Sequence, residues 1–98
     1  MKISLSTADK PQLVKDLEKD FPKLKFKGPY NDGSEWEATL NIDSSLAAMH
    51  YLARLEQFFT KQGAFNSHAF QTQFSLRVKS THIGIDYTGG LLSVTVAS

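Results

Sequence analysis

The sequence contains no cysteine, and this excludes several classes of protein at once. A disulfide-stabilised scaffold, a thiol nucleophile and a zinc site built on thiolates all require cysteine. The composition fits a reducing compartment, so we expect a cytoplasmic protein. No stretch approaches the roughly 18 consecutive apolar residues that indicate a membrane-spanning helix. The first residues also have no apolar run of the signal-peptide kind, and we expect neither a membrane segment nor a leader.

A strong charge of either sign is also missing. The chain has 11 Lys and Arg residues against 10 Asp and Glu residues, a net charge of +1 at pH 7. Proteins that bind duplex DNA without sequence preference usually carry a large basic excess, because they neutralise backbone phosphates. The balanced charge therefore makes nucleic acid an unfavoured partner.

Apolar residues, by contrast, are abundant enough for a core. Hydrophobic residues make up 41% of the chain and include seven phenylalanines, whereas disordered chains are poor in aromatic residues. A length of 98 residues suits one ordinary domain. Because no linker or repeat divides the chain, we predict a single domain over residues 1–98.

The last third of the chain predicts a three-stranded meander. Apolar and polar side chains alternate over 70–79, 82–87 and 91–98. A period of two residues is typical of a sheet with one buried and one solvated face. The polar positions of these strands should therefore form one hydrophilic surface.

Turn signals set the predicted pairing within this meander. Gly89–Gly90 is a strong two-residue hairpin signal. The preceding turn, expected at Ser80–Thr81, has neither glycine nor asparagine and is the weak point of the meander. The predicted pairs are Tyr87 with Leu92, Ile85 with Val94, Ile83 with Val96, Lys79 with His82 and Ser75 with Asp86.

The first two thirds of the chain predict a strand at 2–6, a helix opened by Asp9, a hairpin and a second helix. The hairpin joins 23–27 to 35–42 through a loop at 28–34. Asp43, Ser44 and Ser45 are alternative N-caps for the second helix, which should run to about Gly63. The predicted hairpin pairs are Phe26 with Trp36, Leu24 with Ala38, Lys27 with Glu35 and Lys25 with Glu37, the last two as ion pairs.

These elements predict an α+β fold, a two-layer sandwich in the order βαββαβββ. Two helices should pack on one face of a largely antiparallel sheet. The first six elements resemble the ferredoxin-like order, which is a likeness of fold and implies no activity.

Groups able to carry catalysis are sparse. None of the three histidines has a second histidine or an acid at metal-ligand spacing within its own element. Asp86 and the serines opposite it have no nearby histidine, so they do not form a nucleophilic arrangement. We therefore expect no enzyme, no metal and no cofactor.

Protein binding is the function that the sequence favours. A sheet that binds RNA by stacking needs exposed aromatic residues, and the outward positions here carry none. We expect a small inhibitor, immunity or adaptor protein of bacterial or phage style, which acts by covering a partner protein. Candidate partner-binding residues are Tyr30, Asn31 and Asp32 at the hairpin tip, and Gln73, Arg77 and Asp86 on the sheet.

Three further hypotheses stay open. The nearly uncharged segment Leu91–Ser98, if it were an edge strand, would pair with a second copy to form a homodimer. His50, Arg54 and Lys61 form a basic stripe on the second helix that a nucleic-acid accessory protein would use. A cleft between helix and sheet near His50 and Tyr51 would suit an enzyme or a small-ligand module.

Overall fold

The computed structural model describes residues 10–31, 33–63 and 73–97. Two helices and five strands follow one another in the predicted order, and the predicted strand at 2–6 lies outside the described residues. The α+β class is confirmed. The elements are α1 (Gln12–Asp20), β1 (Lys27–Tyr30), β2 (Glu35–Asn41), α2 (Ser45–Lys61), β3 (Gln73–Val78), β4 (Thr81–Thr88) and β5 (Leu91–Ala97).

The strands form one five-stranded sheet in the order β1-β2-β5-β4-β3, and every neighbouring pair is antiparallel. The hairpin predicted at Gly89–Gly90 is confirmed. Its register is the predicted one, with Tyr87 opposite Leu92, Ile85 opposite Val94 and Ile83 opposite Val96.

The last strand of the chain is the central strand of the sheet. β5 pairs with β2 along one edge and with β4 along the other. Both edges are therefore occupied within the domain. This corrects the hypothesis of a homodimer through Leu91–Ser98, because pairing with a second chain requires a free edge.

The turn between β3 and β4 lies one residue earlier than predicted. It is formed at Lys79 and Ser80, and Lys79 has a φ of 56°, in the left-handed region. Moving a turn by one residue moves the pairing by two, so each side chain keeps its predicted face. The observed pairs are Arg77 with His82 and Gln73 with Asp86, and the predicted pairs Lys79 with His82 and Ser75 with Asp86 are wrong.

The first hairpin also differs from the prediction. β1 starts at Lys27 and continues past Gly28 to Tyr30. Gly28 has a φ of +149°, and a Cβ on it would lie 2.8 Å from the carbonyl oxygen of Glu35, so this close approach requires glycine. Lys27 lies opposite Glu37, and Tyr30 lies opposite Glu35.

This shift overturns the predicted hairpin contacts. Leu24 and Phe26 precede β1, so they have no strand partners, although both are buried. Within the described residues, no ion pair joins Lys25 or Lys27 to a glutamate of β2.

Both helices bury their apolar sides against one face of the sheet. Val14 and Leu17 from α1 are fully buried, and a fully buried Leu or Val side chain contributes about 1.5–3 kcal/mol. The apolar side of α2 is buried at Ala48, Leu52, Leu55, Phe58 and Phe59, and Tyr51 beside them is half-buried. The sheet supplies Trp36, Ala38, Leu76, Val78, Ile83, Ile85, Leu92, Val94 and Val96.

The helix ends follow local chemistry. The Ser44 hydroxyl accepts a hydrogen bond from the Ala47 N–H at 3.2 Å, so Ser44 is the N-cap of α2. α1 begins at Gln12 and ends at Asp20, before Pro22. Gln12 donates its side-chain amide to Asp16 and makes no cap, and the predicted cap Asp9 lies outside the described residues.

Glu18 ties α1 to the segment that enters β1. Its carboxylate accepts hydrogen bonds from Lys10 Nζ at 2.8 Å and from the Phe26 N–H at 2.8 Å. Burial alone raises the pKa of Glu18, but the two hydrogen bonds and the charges of Lys10 and Lys25 outweigh burial, and the pKa is lowered. This contact was not predicted, because Lys10 precedes α1 and Phe26 follows it, and neither helix nor strand periodicity places them beside Glu18.

Candidate functional site

The outer face of the sheet, on the side away from the helices, carries most of the predicted site residues. Residues directly opposite each other in neighbouring strands share a face, so the register defines rows across the sheet. The first row is Tyr30, Glu35, Ala97, His82 and Arg77. The second row is Lys27, Glu37, Thr95, Gly84 and Ser75. The third row is Thr39, Ser93, Asp86 and Gln73.

A shallow depression of about 380 Å³ occupies the middle of the outer face. Its floor lies at Gly84, which presents no side chain, and a Cβ there would lie 2.7 Å from Thr95 Oγ1. Neighbouring positions on β5 carry the small residues Ser93 and Thr95. The depression therefore comes from small side chains at the centre of the sheet, and its lining is Gln73, Ser75, Gly84, Ile85, Asp86, Ser93 and Thr95.

Asp86 is the charged residue of this depression. It lies between Gln73 on β3 and Ser93 on β5. Its Oδ1 accepts a hydrogen bond from Thr88 Oγ1 at 3.1 Å. Its Oδ2 has no hydrogen-bond partner among the described residues.

Arg77 and His82 lie together at the β3 side of the first row. Arg77 Nη2 is 3.0 Å from His82 Nε2. A guanidinium has no acceptor atom, so in this contact Arg77 is the donor and His82 Nε2 is the acceptor. Both side chains are exposed, and Arg77 lies on the edge strand β3.

The hairpin tip lies at the opposite side of the first row. Tyr30 is 46% exposed, and Asn31, with a φ of 51°, donates its side-chain amide to the Glu35 carboxylate. Asp32 lies outside the described residues. Four strand spacings of about 4.8 Å separate Tyr30 from Arg77, so the backbones of these two residues are about 19 Å apart.

The structure thus groups the candidates only in part. Gln73 and Asp86 are direct neighbours, and Arg77 lies on the same face four residues along β3 from Gln73, about 13 Å away. Sequence analysis did not identify Gly84 as the floor of the depression. A glycine at an outward position of a strand is the signal that was available.

The helix layer presents two further surfaces. The predicted stripe of α2 is confirmed as exposed, with His50, Arg54, Gln57 and Lys61 all in contact with solvent. Beside it, Leu46 and Met49 are 67% and 53% exposed.

The predicted cleft near His50 and Tyr51 stays a hypothesis, and these two side chains have different neighbours among the described residues. His50 lies with Leu46, Met49 and Ala53 on the solvent side of α2. The Tyr51 ring instead faces Phe21, with 5.4 Å between ring centroids.

No three His, Cys, Asp or Glu side chains within the described residues cluster closely enough to hold a metal ion. No described helix is long and apolar enough to cross a membrane. Comparison of the chain with protein families, with curated proteins and with solved structures finds no match.

Proposed function

We propose that this chain is a small, non-enzymatic protein-binding module that covers a partner's surface with the outer face of its sheet. The supporting observation is the make-up of that face. Its described side chains are exposed or half-buried, nearly all are small or hydrogen-bonding, and its centre is concave. Large apolar side chains are confined to Tyr30 and Leu91 at its margins.

The chemistry of the depression indicates what the partner contributes. Hydroxyls of Ser75, Ser93 and Thr95 and the amide of Gln73 both donate and accept hydrogen bonds. Asp86 only accepts while it is ionised, and its Oδ2 is unoccupied by any described residue. A convex, donor-rich element of the partner, such as a loop carrying Lys or Arg, fits this set.

A module of this kind needs no catalytic group, which agrees with an inhibitor, immunity or adaptor role. Such a protein acts by occupying a surface, so its affinity depends on a few well-placed central contacts rather than on reactive side chains. A cytoplasmic setting and a bacterial or phage source belong to the same proposal.

The test is a steric block at the centre of the face with a matched control on the helix layer. Ser93→Arg places a long cation beside the depression without touching the core, and His50→Arg places the same side chain on the exposed side of α2. Each protein is immobilised and used to capture partners from the native host, and captured proteins are identified and their dissociation constants measured.

We expect the wild type and His50→Arg to retain the same partner, and Ser93→Arg to bind it at least about tenfold more weakly. Both variants should melt close to the wild type, because surface substitutions usually change stability by less than about 0.5 kcal/mol. Equal binding by Ser93→Arg, or the capture of no protein by the wild type, would refute the proposal.

A further inference from the structure

Arg54 on α2 lies against two aromatic rings. Its guanidinium carbon lies 5.0 Å from the centroid of the Phe21 ring and 5.9 Å from that of Tyr51. A guanidinium within about 6 Å of a ring centroid is attracted to the aromatic face, and the N–H groups at its edge stay free to donate. Among the described residues, none accepts a hydrogen bond from Arg54.

A depression of about 290 Å³ opens beside this guanidinium, between the end of α1 and the second half of α2. Phe21 and Phe58 form its apolar base, with ring centroids 6.0 Å apart in an edge-to-face arrangement. Polar groups form its rim. They are Arg54, Gln57 and Lys61 from α2 and Asp20 from α1.

The helical spacing brings the three donors of α2 together. Residues at i, i+3 and i+7 lie on one side of a helix, so Arg54, Gln57 and Lys61 border the depression along about two turns. Two cations and one amide face it from α2, against the single carboxylate of Asp20. The local charge is therefore positive, in a chain whose charge is nearly balanced.

We infer that this depression is a binding site for a small molecule that carries a phosphate or carboxylate group. A guanidinium presents two parallel N–H donors that match the two oxygens of an oxyanion, and Lys61 and Gln57 add single donors. Asp20 repels a second negative group and accepts a hydrogen bond. The ligand should therefore carry a hydroxyl or ammonium group next to its oxyanion.

The site is separate from the outer face of the sheet, because it lies in the helix layer. Its existence does not depend on the proposed protein partner. It also gives the basic stripe of α2 a more specific role than general attraction to nucleic acid, since Arg54 lies against two rings and the base of the depression is apolar.

The chain contains two arginines, which makes the site directly observable. The side-chain Nε–H signals of Arg54 and Arg77 are followed by NMR during titration with glycerol 3-phosphate, inorganic phosphate or acetate. Arg77 is the internal control, because it lies on the opposite layer of the molecule. We expect glycerol 3-phosphate to shift the Arg54 signal to saturation and to leave the Arg77 signal in place.

Variants then test the roles of the individual groups, read from the backbone amides of residues 57 and 61. Arg54→Lys keeps the charge but removes the paired donors, and should weaken glycerol 3-phosphate binding about tenfold. Asp20→Asn should strengthen the binding of inorganic phosphate. The ratio of the affinity for glycerol 3-phosphate to the affinity for inorganic phosphate should therefore become smaller. Lys15→Gln, on the exposed side of α1, should change neither.

Three results would overturn the inference. One is an Arg54 signal that does not move with any of the three anions. Another is equal movement of the Arg54 and Arg77 signals, which indicates screening by salt alone. The third is tighter binding of a single-stranded oligonucleotide than of glycerol 3-phosphate with a steep salt dependence, which would assign the stripe to nucleic acid.

Discussion

The sharpest stability prediction concerns two tyrosines whose hydroxyls have opposite situations. The Tyr51 hydroxyl is buried, and it has no hydrogen-bond partner in the part of the chain that the structure describes. Burial raises the pKa of Tyr51, against the opposing charge of Arg54. The Tyr87 hydroxyl, by contrast, donates to the carbonyl oxygen of Ile42 at 2.6 Å.

Removing each hydroxyl should therefore change stability in opposite directions. A buried polar group without a partner costs about 1–3 kcal/mol, so Tyr51→Phe should raise the free energy of unfolding by about 1 kcal/mol or more. The packing of the ring on Phe21 is kept. Tyr87→Phe removes a made hydrogen bond and should lower the free energy of unfolding by about 1 kcal/mol. In a domain of this size, 1 kcal/mol shifts Tm by roughly 4–8 °C.

The assay is urea unfolding of the wild type and the two variants at neutral pH, with the slope compared to confirm equal exposure of surface. An alkaline series adds a second readout. Because the folded pKa of Tyr51 is raised, ionisation of Tyr51 leaves the free energy of unfolding unchanged below its ordinary value of 10.0. The free energy of unfolding then falls as pH rises from there through the folded value. Tyr51→Phe should lack that loss. Destabilisation of Tyr51→Phe to the same extent as Tyr87→Phe would refute the reasoning.

Three further predictions follow from single residues. Glu18→Gln should lower the free energy of unfolding at neutral pH and make it depend less on pH in acid. The lowered folded pKa of Glu18 stabilises the fold above the ordinary value of 4.5, and this stabilisation is lost as pH falls through the folded value. Thermal melts from about pH 6 to about pH 3 measure it, and an unchanged slope contradicts it. Gly28→Ala should cost about 1–3 kcal/mol, since its Cβ would collide with the Glu35 carbonyl. Gly33→Ala is the control for backbone strain alone, because Gly33 also has a positive φ, +90°, but a Cβ there meets no atom within 4 Å. Equal costs for the two variants would argue against the collision. Lys79→Gly should gain up to about 1 kcal/mol by relieving a left-handed φ in the β3–β4 turn, and a lower urea midpoint would count against that reasoning.

The alternation of apolar and polar residues predicted correctly which side of the sheet each side chain faces in β3, β4 and β5. It was less reliable for which residues lie opposite each other in neighbouring strands. The β4–β5 register was predicted correctly because Gly89–Gly90 allows only one tight turn between two alternating runs. The β3–β4 register was wrong by two residues, because Lys79 adopts a left-handed conformation that the pattern did not reveal. The β1–β2 register was wrong by two residues at Lys27 and by three at Tyr30, because the strand is irregular between these residues, where Gly28 has a positive φ. A shift of two residues keeps the face, so Gln73, Arg77 and Asp86 still lie on the outer face.

The order of the strands in the sheet could not be predicted from the sequence, for a different reason. β2 and β5 are joined by no turn, and their pairing brings residue 35 opposite residue 97. Alternation states that each strand has an apolar and a polar side, but it does not say which strands are neighbours. The position of β5 at the centre of the sheet, and with it the placing of Ser93 and Thr95 beside Gly84, followed only from the structure.

That central position is also the strongest argument that the outer face has a use. An exposed sheet needs charged side chains mainly at its edges, where they prevent pairing with other chains. Its central strands are already paired and are free to carry long polar residues. Here β5 and the middle of β4 carry Ser93, Thr95, Ala97 and Gly84 instead, and the longer side chains of Glu35, Glu37 and Arg77 stand on the strands to either side. Gly84 weakens strand propensity and has no side chain to pack, so strand stability alone does not account for a glycine at this position. The proposed protein partner would give a use to a concave, hydrogen-bonding centre that has charged side chains on either side.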